Sequence, residues 1–145
     1  MALTVPTVAV GDDVLASWAN GAKAAIDDLY TTVSDVTIGT VAAGFTVNTN
    51  GQVARTALGG KLVFVMLYLN STNAITVTAG NIGDTTVFTL DAAYRPSDTI
   101  SAIGGTGFAT GEATVDTSGV VLLRSMSDPI AAGANLRLTF MFLTA

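Results

Sequence analysis

Acidic side chains are the residues of this chain best equipped for chemistry, because its 145 residues include no histidine and no cysteine. Two carboxylates side by side can hydrolyse glycosides, one acting as general acid and the other as nucleophile. The adjacent pairs Asp12-Asp13 and Asp27-Asp28 lie on or beside a predicted helix, where capping and solvation explain them. Six further acids fall at predicted strand ends or turns, namely Asp84, Asp91, Asp98, Glu112, Asp116 and Asp128. The sequence therefore predicts no catalytic residue, and glycan hydrolysis is its least favoured function.

Other reactive or ligand-binding patterns do not fit the sequence either. A Ser-His-Asp triad needs the missing histidine, and neither Lys23 nor Lys61 follows a serine at Ser-x-x-Lys spacing. The glycine-rich residues 104–111 resemble a phosphate-binding loop but lack its lysine, which favours a flexible hairpin tip that exposes Phe108. Residues 48–51 lack the carboxylates of a calcium loop. We expect no cofactor and no metal.

Composition indicates an assembling protein. Half of the residues are hydrophobic, 12% are charged, and mean hydropathy is +0.57, which is more apolar surface than one small monomer readily buries. A net charge of −5 repels phosphate backbones, so we expect no nucleic acid partner. The longest apolar run, residues 62–69, is too short to span a membrane, which predicts no membrane insertion. The first ten residues contain Pro6 and no basic residue, unlike a secretion signal, and this favours assembly in a cytoplasm.

A helix is predicted after an extended N-terminal arm. Asp12 is a suitable N-cap, and apolar residues then recur at spacings of three and four, which draws one stripe along the helix. The stripe is a candidate oligomer interface formed by Leu15, Trp18, Ala22, Ile26 and Leu29. Three arrangements remain open: the helix lies on its own β domain, joins a short bundle in a homotrimer, or is a frayed linker.

The remaining chain is predicted to be all β. The fold class is therefore mainly β, with an N-terminal arm and one helix (residues 1–36) followed by a jelly-roll-like antiparallel β-sandwich (residues 37–145). An Asn-Gly hairpin turn is expected at residues 48–51 and a tight turn at Ser118-Gly119. Predicted strands are 37–41, 45–48, 52–57, 61–69, 74–78, 85–90, 99–103, 112–117, 120–125 and 136–144. In the last of these, alternation predicts that Met141 faces a partner or an edge.

Two segments carry a resemblance to a known class of protein. Residues 90–97, Leu-Asp-Ala-Ala-Tyr-Arg-Pro-Ser, and residues 116–120, Asp-Thr-Ser-Gly-Val, resemble C-terminal β domains of tailed-phage tail and receptor-binding proteins over about residues 60–145. Residues 5–20, which contain Val-Gly-Asp before the helix, are similar to the opening of small virion proteins of actinobacterial phages.

The resemblance implies a non-enzymatic virion structural protein, usually a homotrimer. The leading hypothesis is a minor tail or tail-fibre-like component that docks to other virion proteins by its N-terminus. The alternative is a capsid decoration or head-fibre protein on the major capsid lattice. A host cell-surface glycan is a further expected partner, and Tyr94, Arg95 and Phe108 are the candidate exposed binding loop. Pro96 also favours a rigid turn at Tyr94 and Arg95.

Overall fold

The protein is mainly β in its computed structural model, which describes residues 20–26, 38–57 and 61–144. Residues 20–26 are helical and are called α1. The predicted arm, with Leu15, Trp18 and Leu29 of the predicted stripe, lies outside the described residues. The strands are β1 (Gly39–Val41), β2 (Phe45–Ala57), β3 (Leu62–Ser71), β4 (Asn81–Leu90), β5 (Ile100–Gly105), β6 (Thr110–Val115), β7 (Val120–Met126) and β8 (Asn135–Leu143), with a 3₁₀ helix at Ala92–Tyr94.

All eight strands belong to one antiparallel sheet in the order β1-β4-β7-β6-β5-β8-β3-β2. The two outermost strands, β1 and β2, are consecutive in the chain, and the Phe45 N–H donates to the Ala42 carbonyl across their short connection (3.2 Å). This connection brings the ends of the sheet side by side, so the sheet curls into a nearly closed barrel. The mainly β class is confirmed, whereas the predicted jelly-roll-like sandwich of two sheets is not.

The core fills the inside of the barrel. Along β8, buried residues alternate with half-buried or exposed ones throughout, and β3 follows the same alternation. Leu136, Leu138, Phe140 and Phe142 point inward, as the sequence predicts. Their inward side chains join one continuous cluster that also includes Phe88, which is fully buried.

Glycines inside the barrel make room for larger neighbours. Gly104 on β5 and Gly111 on β6 are paired across the two strands. A Cβ atom at Gly104 would collide with the Leu138 side chain, and one at Gly111 would collide with the Ser125 carbonyl oxygen and lie 2.5 Å from the Met126 sulfur. Residues 104–111 are therefore not one flexible tip, because strand pairing extends to Gly105 and resumes at Thr110.

Two local predictions differ from the structure, and in the first of them strand pairing outweighs turn propensity. The Asn-Gly sequence at residues 50–51 does not end a strand, since β2 continues through it and pairs with β3 on both sides, with a shift in register between Val47 and Gln52. Gly51 has a φ of 74°, as expected at a bulge. The predicted strand at residues 74–78 forms only isolated bridges, through Ile75 and Thr78.

The strands run between two ends of the barrel, which we call the entry end and the tip end. At the entry end Ile38 leads into β1, and β4, β6 and β8 finish there, with the connection 91–99 and the turn 116–119. The tip end carries the turns 42–44 and 106–109 and the loops 72–80 and 127–134. The antiparallel registers fix this assignment.

Candidate functional site

Phe108 lies at the tip end and is fully exposed. The turn that presents it is held by the Thr106 N–H, which donates to the Ala109 carbonyl (2.9 Å), and by the Ala109 N–H, which donates to the Thr106 hydroxyl (3.1 Å). Gly107 has a φ of 96°, a conformation that side-chain-bearing residues rarely adopt. Ala109 is buried. The tip is thus a hydrogen-bonded turn that displays one aromatic ring to solvent.

Tyr94 and Arg95 lie at the entry end, so the structure does not place them with Phe108. Tyr94 is half-buried and packs on the core. The Arg95 Nε donates to the Leu90 carbonyl (3.3 Å), and its side chain borders the turn at Gly119. Both residues therefore contact the surroundings of the 91–99 connection, and they do not form a single loop with Phe108. The rigid turn at Tyr94 and Arg95 stays a prediction.

Helix α1 carries two of the predicted interface residues. Ala22 is half-buried, while the Ile26 side chain is 53% exposed. A large apolar side chain on a helix is usually buried against another element. Ile26 is therefore available to a partner surface.

The largest feature that sequence reasoning missed is an apolar surface on the outside of the barrel. We call it the outer apolar face; it lies on β3, β5 and β8. Met66 is 44% exposed, Ile103 76%, Met141 60% and Leu143 57%, and half-buried Leu62 and Phe64 lie among them. The registers join them into one surface, because Phe64 pairs with Met141, Leu62 with Leu143, and Thr139 with both Met66 and Ile103.

A sequence signal for this surface existed. Hydrophobic residues occupy both faces of β3 and β8, whereas a strand with one face in water normally alternates apolar and polar residues. Met141 was expected at a partner contact or at an edge. The edge is excluded because β8 lies between β3 and β5, and a partner contact remains a prediction.

Polar residues border the outer apolar face toward the tip end. The Arg137 guanidinium lies 5.0 Å from the centre of the Tyr68 ring, within the range of a cation–π interaction. The Asn48 amide donates to the side-chain oxygens of Asn70 (2.7 Å) and Asn135 (2.9 Å), which links β2, β3 and β8. The surface therefore has an apolar half toward the entry end and a polar, cationic border toward the tip end.

Asp116 is the acid with the most defined environment, and it holds the β6–β7 turn. Its carboxylate accepts hydrogen bonds from the Ser118 hydroxyl, the Ser118 N–H (2.9 Å) and the Val120 N–H (3.0 Å). The hydroxyl bond is the main cause that lowers the pKa of Asp116, and the backbone bonds act in the same direction while partial burial opposes them. These hydrogen bonds therefore hold the turn between β6 and β7.

Asp116→Ala is expected to lower the free energy of unfolding by about 1–2 kcal/mol at pH 7, because these hydrogen bonds are lost. A carboxylate whose folded pKa is depressed stabilises the fold above its unfolded pKa, about 3.9, and loses that effect as pH falls through the folded value. Urea unfolding should therefore show a difference between the two proteins at pH 7 that shrinks below about pH 4. The control is Asp98→Ala, because the Asp98 carboxylate accepts its hydrogen bond from the hydroxyl of the adjacent Ser97 (3.1 Å). Equal losses of unfolding free energy in the two variants would contradict the role of Asp116.

Within residues 20–26, 38–57 and 61–144, no group of three or more acidic side chains is close enough to hold a metal ion. Over the same described ranges, no helix has the length and apolar character needed to cross a membrane. No protein-family model matches the sequence, and no curated protein is similar enough to match it.

Proposed function

We propose that this chain is a non-enzymatic structural protein of a tailed-phage virion, a minor tail or tail-fibre-like component. Its N-terminal segment docks to other virion proteins, and its β domain assembles as a homotrimer that faces outward. The sequence resemblance in residues 5–20, 90–97 and 116–120 motivates the assignment.

The observation that best supports a docking and display role is the polarity of the barrel. Ile38, through which the N-terminal segment joins the barrel, lies at the entry end, and Phe108 lies at the opposite end. A domain attached by one end and carrying an exposed aromatic side chain on the other suits a component that links a particle to an outside surface. Aromatic side chains dominate the energetics of many protein interfaces.

Cryo-electron microscopy of the intact virion tests the location. We expect a few copies at the tail, with the entry end toward the particle and the Phe108 turn away from it. Threefold density repeated over the head lattice would instead assign the chain to capsid decoration, and absence from the purified virion would overturn a structural role.

Binding of the purified protein to host cells tests the display surface. Phe108→Ser should weaken binding at least about tenfold, because a hot-spot aromatic is removed. Phe108→Tyr retains the ring and should bind nearly as well as the wild type. Equal binding by the wild type and Phe108→Ser would exclude this turn as the contact, and both proteins should show the same thermal unfolding because Phe108 is fully exposed.

A further inference from the structure

Two apolar surfaces are exposed within residues 20–26, 38–57 and 61–144. One is the outer apolar face, on which Ile103 and Met141 are 76% and 60% exposed. The other is the apolar side of α1, where Ile26 is 53% exposed. Grouped apolar residues exposed on a soluble domain commonly mark interaction sites. Both surfaces are exposed among the residues that the structure describes, so each is available to a neighbouring copy.

Charge distinguishes these two surfaces. Strands β3, β5 and β8 contain no acidic residue, and their one charged residue is Arg137. Lys61 directly precedes β3 at the entry end, and Glu112 on β6 borders Ile103 while accepting a hydrogen bond from Ser101 (2.7 Å). The outer apolar face is thus bordered by a cation at each end.

The N-terminal segment has the opposite charge. Residues 1–36 contain five of the eleven acids and one of the six bases, a net charge of −4, whereas residues 37–145 carry a net charge of −1. Most of the negative charge of the protein therefore belongs to the segment that includes α1. Opposite charge around two apolar surfaces favours their approach and orients their contact.

The position of the outer apolar face also suits contact with this segment. Its apolar half lies toward the entry end, where Ile38 joins the barrel. Ile38 lies twelve positions after Ile26 in the chain, and a chain of that length reaches up to about 40 Å. That reach is longer than β8, whose nine residues extend about 30 Å, so it suffices to span the length of the outer apolar face.

We propose that the outer apolar face binds the N-terminal segment around Ile26 of a second copy of this chain, a segment whose sequence is acidic. This contact joins two different surfaces, and such head-to-tail contacts form a ring when the rotation between copies closes. The inference specifies how copies meet and rests on the proposed self-association, not on the virion role. It differs from a central helix bundle and from a helix that lies on its own barrel.

Single-cysteine crosslinking tests the contact, because the chain has no cysteine of its own. Ile26→Cys and Met141→Cys chains that carry different affinity tags are co-expressed, purified through both tags and oxidised mildly. We expect a disulfide-linked heterodimer containing one chain of each kind. The matched control replaces Met141→Cys with Phe108→Cys, which places a more exposed thiol outside the face and should give little heterodimer.

Other products would overturn the proposal. Disulfide dimers of Ile26→Cys alone, with no heterodimer, would indicate a helix bundle. A doubly substituted chain that closes an internal disulfide and gives no product between chains would place the helix on its own barrel. Wild-type protein that sediments as a monomer, or an oligomer in which Ile26→Cys and Met141→Cys do not react, would exclude the contact.

Sedimentation of an acidic variant gives a second measurement that needs no cysteine. Met141→Asp should weaken self-association at least tenfold, because a charge that repels the acidic N-terminal segment replaces an apolar side chain. Phe108→Asp should leave self-association unchanged, and circular dichroism of both variants reports whether the barrel is folded. Equal self-association of folded Met141→Asp and wild type would overturn the proposal. Virion location is measured separately, so failure of this contact and failure of the proposed function are distinguishable.

Discussion

Replacing Phe88 with alanine is expected to lower the free energy of unfolding by about 3–5 kcal/mol, a large part of the stability of an ordinary domain. Phe88 lies on β4 and is fully buried in the single core cluster. Its ring also lies against β1, since a Cβ atom built at Gly39 would come within 2.6 Å of it. The substitution would leave a cavity between β4 and the short strand that completes the sheet.

Chemical denaturation of Phe88→Ala and Phe108→Ala provides the comparison. The same change at Phe108 should alter the free energy of unfolding by no more than about 0.5 kcal/mol, because a fully exposed side chain loses no packing. Similar losses at the two positions would mean that Phe88 is not a core residue. A lower denaturant midpoint with an unchanged slope is the expected form of the Phe88→Ala result.

Adding one methyl group at Gly111 is expected to cost about 1–3 kcal/mol or more, because the barrel has no space for it. The new Cβ would collide with the Ser125 carbonyl oxygen and lie 2.5 Å from the Met126 sulfur. Backbone on a neighbouring strand cannot move without disturbing the β6–β7 pairing. Thermal unfolding of Gly111→Ala should therefore occur at a clearly lower temperature than that of the wild type.

Gly83→Ala is the matched control for this strand glycine. Gly83 is exposed on β4, and its added Cβ would meet nothing within 4 Å. Alanine there reduces the conformational freedom of the unfolded chain, so we expect no loss and a gain of up to about 1 kcal/mol. If Gly111→Ala were as stable as Gly83→Ala, the close approach at Gly111 would be wrong.

Some strands and turns were predicted correctly from the sequence where their pattern lies within a few neighbouring residues. Inward and outward residues of β8 follow strict alternation, and the Ser118-Gly119 turn forms where expected. The glycines were predicted to form a flexible tip, but Gly104 and Gly111 allow close packing between strands. A sequence does not show whether a glycine supplies a turn or a space, because that depends on residues from other strands.

The candidate site was predicted only in part. Exposure of Phe108 and the outward position of Met141 could be expected from composition and alternation. Hydrophobic residues on both faces of β3 and β8 indicated an apolar outer surface, but its extent could not be predicted, because its residues come from β3, β5 and β8 and are joined only by the order of strands in the sheet. The opposite placement of Arg95 and Phe108 likewise depends on registers that the sequence does not specify.

The position of β8 between β3 and β5 has a consequence for folding during synthesis. Until residues 135–143 have left the ribosome, the sheet can exist only as two parts, β2-β3 and β1-β4-β7-β6-β5, each with an unpaired strand edge. Loop closure between β3 and β8 also spans most of the domain, which slows folding. The nascent chain would therefore complete its barrel only after β8 is synthesised, and during that interval its unpaired strand edges expose it to aggregation.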